Sequence, residues 1–408
     1  MSHDPIDRRG FIQIMGGAAA MLATTAACAT PRPKRPQAPK VASGLPGMLL
    51  VYTQARRRPQ LHLFDTATGQ RLTTFDSLVA SHAIVAVESQ NRFVVHGLGP
   101  NGQGQAWVID VNPAQGTWSK PKVIDLGRGM ALHWQPSADQ RLIQYNTIED
   151  GALHVLNTHT LEVERERGGG NHSNMAFFND ERWLLATDHL GAGTSLRVID
   201  RVSGKILSQT PVGTSGHGVT VNDKTGTAFV WADDGVHMVD LSTKNLGQHL
   251  GIIAPKQQGQ RSWFCWTPQG GRYSHDYSWN PGDTYNPWLN VLDMEARRIE
   301  RLPTPGHTPG ILQVSPDGTT ALAGCLKTNH LLVFDLTNNT LKGTIPIGQR
   351  SRSFFDRDTT FSKDRTHGFA TNPADKTISV LNLQTLTELA RIPIPDFPIW
   401  AGAISAGR

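Results

Sequence analysis

The chain reads as an all-β protein: an eight-bladed β-propeller with four-stranded antiparallel blades, closed into a ring by its C-terminal strand. Three features lead there. An apolar, alternating phrase ending in Asp or Asn occurs eight times, at residues 61–65, 106–110, 153–157, 196–200, 236–240, 289–293, 331–335 and 378–382. The closing residues lie 45, 47, 43, 40, 53, 42 and 47 positions apart, which is the period of a four-stranded propeller blade. The apolar stretches at the two ends, 49–52 and 399–404, are each short of a blade and together complete one.

Within a blade the phrase is the third strand. Asp and Asn accept hydrogen bonds from backbone N–H groups two residues on and so start a turn; Thr66-Ala67-Thr68-Gly69, Val202-Ser203-Gly204 and Thr337-Asn338-Asn339 follow as turn residues. An apolar outer strand comes next, as at Lys205-Ile206-Leu207 or 341–347. A link containing Gly or Pro then leads into the next innermost strand, and a hairpin such as Ser315-Pro316-Asp317-Gly318 leads out of it. Only one strand, Leu49-Leu50-Val51-Tyr52, precedes the first phrase, so the first blade lacks its innermost strand until residues 399–404 supply it. Closure of this kind removes the free sheet edges that invite aggregation. A seven-bladed ring is the alternative if the least regular blade, around Asp293, stands outside the circle.

Residues 1–29 and 30–46 lie ahead of the propeller, which takes 47–408. Asp7-Arg8-Arg9-Gly10-Phe11-Ile12-Gln13 and the Ala/Gly-rich run 14–27 resemble a twin-arginine export signal. The run is too short and too poor in large apolar residues to span a membrane. Export of this type places the folded domain in the periplasm. Thr25-Ala26-Ala27-Cys28 resembles a lipoprotein cleavage box with Thr where an apolar residue is usual, so Cys28 is a candidate for lipidation; Ala27-Cys28-Ala29 also suits ordinary cleavage. The Pro- and Lys/Arg-rich segment 31–40 has the composition of an extended spacer. A lipid on Cys28 would be the chain's one link to a membrane.

Composition excludes several classes. A net charge of +5 over 408 residues offers no basic stripe for nucleic acid. Three cysteines, Cys28, Cys265 and Cys325, do not make a disulfide framework, which leaves a Cys265–Cys325 bridge as an isolated option. Cys-x-x-Cys-His, His-Glu-x-x-His and Gly-x-Ser-x-Gly are all missing, so covalent c-type haem, zincin chemistry and a nucleophile elbow are out. Gly97-Leu98-Gly99-Pro100-Asn101-Gly102 matches a dinucleotide fingerprint in letters, but it joins two strands of one blade and opens no helix. Asp188-His189 has no nucleophile beside it. No catalytic residue is nominated, and whether the chain is an enzyme stays open.

Pro346-Ile347-Gly348, Gly216-His217-Gly218-Val219-Thr220-Val221 and Ile311-Leu312-Gln313-Val314-Ser315-Pro316-Asp317-Gly318 resemble the YVTN-repeat family over residues 47–404. That superfamily includes bacterial surface propellers, lactonase-like propellers and haem-d1 propellers, so the resemblance implies fold strongly and function weakly. Ser81-His82-Ala83 with the strands that follow looks like the first-blade segment of haem-d1-binding propellers. The resemblance makes His82 a candidate iron ligand.

Three groups of residues are candidates for the site. His82, His172, His217 and His307 fall on links into innermost strands, with His133 inside one; a ring of imidazoles at a channel mouth can bind a transition metal or a tetrapyrrole iron, and His82, His172 and His217 are the candidate metal ligands. Arg350 and Arg352, in Arg350-Ser351-Arg352-Ser353-Phe354-Phe355-Asp356-Arg357, can fork onto carboxylates such as haem propionates, or can be neutralised by Asp356, Asp358 and Asp364. Residues 263–288 hold four of the ten Trp and three of the five Tyr, suited to stacking on a planar ligand, docking a partner or plugging gaps between blades. The reading these favour is a binding module whose channel-mouth loops take a small ligand, a cofactor or a periplasmic protein partner. A d1-type tetrapyrrole or metal protein and a lactonase-like hydrolase are the alternatives.

Overall fold

In the computed structural model the described residues are 41–54, 59–167, 174–187, 193–214, 216, 218–232, 234–253, 261–266, 273–279, 287–315, 317–326, 328–349 and 357–406, with backbone alone for 166–167, 261–266, 273–279 and 326. They form eight antiparallel sheets of four strands in sequence-consecutive order, one of which carries an additional short strand. The first sheet is the exception to consecutive order. Its strands Gly47–Thr53, Gln60–Asp65 and Arg71–Asp76 are joined by the last strand of the chain, Pro398–Ser405. Leu49 lies opposite Ala403, Leu50 opposite Gly402 and Val51 opposite Ala401. The eight sheets are the eight blades, and the one around Asp293 is complete, with strands Arg261–Trp266, Tyr273–Trp279, Trp288–Asp293 and Arg298–Pro303.

Each blade is apolar on both faces and must bury both. Eight apolar clusters do this, one per gap between neighbouring blades. Leu50, Tyr52, Leu61 and Leu63 of the first blade meet Phe93, Val95 and Ile109 of the second, while Leu49, Val51 and Phe64 meet Phe369, Val380 and Ile392 of the eighth. Alternation along Gly47–Thr53 sends successive residues into opposite gaps, as strand geometry requires. Glycine is needed where the closing strand passes the second blade: a Cβ on Gly402 would sit 2.7 Å from Cγ2 of Ile84.

The Asp/Asn signature has the expected cause at seven of its eight occurrences. Asp65 Oδ1 accepts from Thr68 N–H at 2.7 Å, Asp200 from Ser203 at 2.8 Å, Asp335 from Thr337 at 2.9 Å and Asn382 from Thr385 at 2.8 Å. Asp110 departs from the rule. The third strand of the second blade continues to Asn112, Asn112 Oδ1 takes over the turn by accepting from Gln115 N–H at 3.2 Å, and Asp110 pairs with Arg92 instead.

A second repeated device is absent from the sequence expectations. His62, His154 and His237 are each the third residue of a third strand. His62 is hydrogen-bonded to Thr53 Oγ1 at 3.2 Å and Thr74 Oγ1 at 3.0 Å, His154 to Thr147 Oγ1 at 3.0 Å, and His237 to Asp234 Oδ1 at 2.9 Å and His249 Nε2 at 3.0 Å. In the eighth blade Ser379 has the same place and accepts from Asn372 Nδ2 at 2.7 Å. These side chains staple strands within a blade. Burial, assisted by Arg71, lowers His62 to about 4, and burial lowers His154 to about 4 against the pull of Asp150, so both are neutral ties.

Removal of residues 398–408 is expected to leave Gly47–Thr53 as an unpaired edge and to expose the partners of Trp400 and Ile404. Those two side chains alone account for about 3–6 kcal/mol of burial. The truncated chain should lose its cooperative thermal transition and elute as aggregate in size-exclusion chromatography; a monomer with unchanged Tm would contradict the closure.

Candidate functional site

Innermost strands are paired on one edge only, so their other edges line the axis of the ring. A cavity of about 240 Å³ lies there, walled by the innermost strands of the first, second, third, seventh and eighth blades. Its apolar surface comes from side chains such as Ile84, Ile311, Phe361 and Trp400, and its polar groups include His82, Gln313 and Asp358. Glu88 and Arg365 stand where two of these strands end; Arg365 Nη1 lies 3.1 Å from Glu88 Oε1. That pair reaches from the eighth blade to the second, beneath the first blade, where the chain termini replace the hairpin the other blades have.

His82 does line the cavity. It is the third residue of the strand Ala80–Val87 and not part of the link ahead of it, because pairing of Ala80 with Leu98 starts the strand four residues before the expected Ile84. Its ring is packed among His133, Trp400 and His96, with centroids 5.7, 5.8 and 6.0 Å away. Nδ1 of His82 and Nδ1 of His96 are both enclosed without a hydrogen-bond partner among the described residues, while His96 Nε2 is 3.0 Å from the Leu132 carbonyl and therefore carries the proton. Burial holds both imidazoles neutral, lowering each to about 3, with His96 adding to the effect on His82.

The sequence offers Asp358 only as one of three acids able to neutralise the Arg run. It is instead a 5 % exposed carboxyl on the channel wall. Oδ2 accepts from Ala401 N–H of the closing strand at 2.9 Å, and Oδ1 lies 3.4 Å from Gln313 Nε2 of the seventh blade. Burial outweighs these donors and pushes its carboxyl up to about 7. The adjacent Arg357 faces elsewhere, toward Asn372 Oδ1 at 3.3 Å and the Gln349 carbonyl. Asp364 is spent on a hairpin, accepting from Ser362 Oγ at 2.6 Å and Thr366 N–H at 3.1 Å. In sequence, nothing separates Asp358 from Asp356 or Asp364; only closure of the ring turns it inward.

His172, His217, Arg350 and Arg352 lie outside the described residues, as do Cys28, Asp188-His189 and residues 280–286 of the aromatic-rich stretch. Trp279 ends a strand and does not open the loop, and Trp288 carries Arg301 over its ring at 4.5 Å. His307 is in the expected link, where its Nδ1 is 3.3 Å from Thr328 Oγ1 and its ring 4.9 Å from His330. Cys325 is buried and free, so it forms no bridge with Cys265. The Gly97–Gly102 segment is a hairpin, as its sequence predicts, with Gly102 N–H bonded to the Gly99 carbonyl at 3.0 Å.

The donor sets can be tested against the two cofactor classes. Among the described residues no three His, Cys, Asp or Glu side chains are placed to hold one metal ion. A 240 Å³ cavity lies below the roughly 300–1,000 Å³ usual for small-molecule pockets and suits a single-ring ligand better than a tetrapyrrole macrocycle. Among the described residues the channel therefore shows no three-ligand metal centre, and its cavity matches a ligand smaller than a tetrapyrrole.

No family profile and no curated protein matches the sequence. Solved structures match over most of its length. Apo AztD from Citrobacter koseri is 14% identical, with 89% of this chain and 99% of that one covered and a TM-score of 0.67. The dihydro-heme d1 dehydrogenase NirN in complex with DHE is 14% identical, with 93% and 80% covered and a TM-score of 0.58. A protein of Desulfotomaculum acetoxidans described as functionally unknown gives 13%, 80%, 99% and 0.51 for the same measures. At these identities the likeness is one of fold, and that fold is the β-propeller expected from the repeat.

Asp358→Asn should stabilise the protein in a pH-dependent way. The folded-state carboxyl titrates near 7 and an unfolded one near 3.9, so the wild type gains nothing relative to Asn below pH ~4, is increasingly penalised as pH rises, and bears the full penalty above ~7. The ceiling is about 4 kcal/mol. Asn keeps the Ala401 bond through Oδ1, and the Gln313 amide can flip to accept. Thermal melts at pH 4.5 and pH 8 check this: the gap in Tm between variant and wild type should widen at the higher pH, and a gap that narrows would refute the assignment.

Proposed function

We propose that this chain is an exported periplasmic binding propeller that takes a small ligand in its central channel. The observation that carries the reading is the cavity itself, in which a neutral imidazole, His82, and a carboxyl pushed up to about 7, Asp358, face an otherwise largely apolar wall. A site for a small ligand combines an apolar surface with a few placed polar groups. Five blades contribute to the wall, so its shape is set by the rigid scaffold and not by a single loop. NirN holds DHE on a similar fold, which supports use of this architecture for ligand binding without naming this chain's ligand. The Arg8-Arg9 leader supports export, and Cys28 supplies a lipid attachment point if the leader is cut before it.

Three outcomes test the proposal. Protein recovered from the periplasm should carry or acquire a small organic ligand, detected by mass spectrometry of the denatured sample, and Thr360→Trp, at a partly exposed position on the cavity wall, should reduce its recovery at least tenfold while leaving the circular dichroism unchanged. The same sample should show no Soret band; a Soret band lost in His82→Ala would replace this reading with a tetrapyrrole one. Arg8→Lys with Arg9→Lys should retain the protein in the cytoplasm on cell fractionation, and unchanged export would remove the twin-arginine assignment.

A further inference from the structure

Asp358 lies at a point of electrostatic imbalance. Among the described residues that line the cavity, the charged groups are Glu88, Arg365 and Asp358. Glu88 and Arg365 face one another at 3.1 Å and cancel. Asp358 receives only neutral donors, the Ala401 and Thr359 N–H groups and the Gln313 amide. The elements packed around it bring no compensating cation: the seventh blade offers Gln313, the first blade Trp400 and Ala401, and the second blade His82. Arg357, its neighbour in the chain, is engaged by Asn372 and Gln349. A buried carboxyl without a cation is costly when ionised, and its place on a cavity wall has a direct use if the cation arrives with the ligand.

The remaining wall agrees with that use. Trp400 lies beside the carboxyl, since the next residue, Ala401, donates to it. Trp400 is oriented by its indole N–H, which donates to the Ser81 carbonyl at 2.9 Å, and the ring of His82 lies 5.8 Å from its ring. Trp134 stands on the third blade. Aromatic faces attract an ammonium group and also cover an apolar ring.

We propose that the ligand is a small organic cation, an ammonium group borne on a single ring or short apolar body, with Asp358 as its counter-ion and Trp400 as an aromatic wall. This rests on the channel reading above and narrows it to a chemical class. Binding converts a neutral acid into a carboxylate paired with an ammonium ion and releases one proton to solvent. Affinity consequently rises with pH until Asp358 is ionised in the free protein, near 7, and levels off above it.

Benzylamine, benzyl alcohol and benzoate share one ring and differ in charge, which makes them suitable probes for titration calorimetry with the periplasmic protein, stripped of any ligand. Benzylamine is expected to bind at pH 8 at least tenfold more tightly than benzyl alcohol, and about tenfold more weakly at pH 6 than at pH 8, as a single ionisation near 7 dictates. Asp358→Asn should abolish both differences. Should that variant fail to fold, the charge series and pH dependence in the wild type decide alone. Equal affinity for the three probes, or preference for benzoate, overturns the cation assignment while the channel remains a binding site. Failure of all three to bind, together with absence of any ligand from the exported protein, overturns both.

Discussion

Closure of the ring by the pairing of Gly47–Thr53 with Pro398–Ser405 is the contact on which the rest of the structure depends. Each blade buries its two faces only against its neighbours, so a propeller that failed to close would leave two apolar faces and one sheet edge in water. The closing strand is held from both sides. Trp400 donates to Ser81 on the second blade, Ala401 donates to Asp358 on the eighth, and Ser405 Oγ accepts from Lys363 N–H at 3.0 Å. Glu88 and Arg365 then bridge the second and eighth blades at the end where the first blade has no hairpin.

The same contacts build the candidate site. Trp400 and Asp358 face the cavity because they secure the last strand from inside the ring, and His82 lies beside them because its strand is the next one around the axis. Structure and binding are thereby coupled: the carboxyl that caps the closing strand is also the group whose ionisation is suppressed by burial. Its cost on ionisation is tolerable in a ring whose eight inter-blade clusters carry the bulk of the stability, and an acid kept near neutrality responds to small changes in its surroundings.

The histidines divide into two roles that their residue type does not reveal. His62, His154 and His237 point along their own sheets and tie strands together. His82, His96 and His133 form one aromatic cluster with Trp400 at the channel. Attention to the links ahead of innermost strands finds His82 and His307 but passes over the ties, although their common place, third in the third strand, is visible once the phrases are stacked in register.

Architecture was legible in the residues themselves because it rests on local chemistry repeated eight times: alternation that makes a strand two-faced, an Asp or Asn that starts a turn through its own side chain, and incomplete blades at the two ends. Even the exception at Asp110 is local, since Asn112 two residues later does the same work. The site was only partly legible. His82 could be placed near the axis, yet Asp358 was indistinguishable from the acids around it, and Trp400 was one apolar residue in a terminal strand. Their meeting joins positions 82, 358 and 400 across three blades, and it exists only once the last strand has paired with the first. Side-chain type and spacing encode the blade, whereas burial and the direction a group faces are set by closure of the ring.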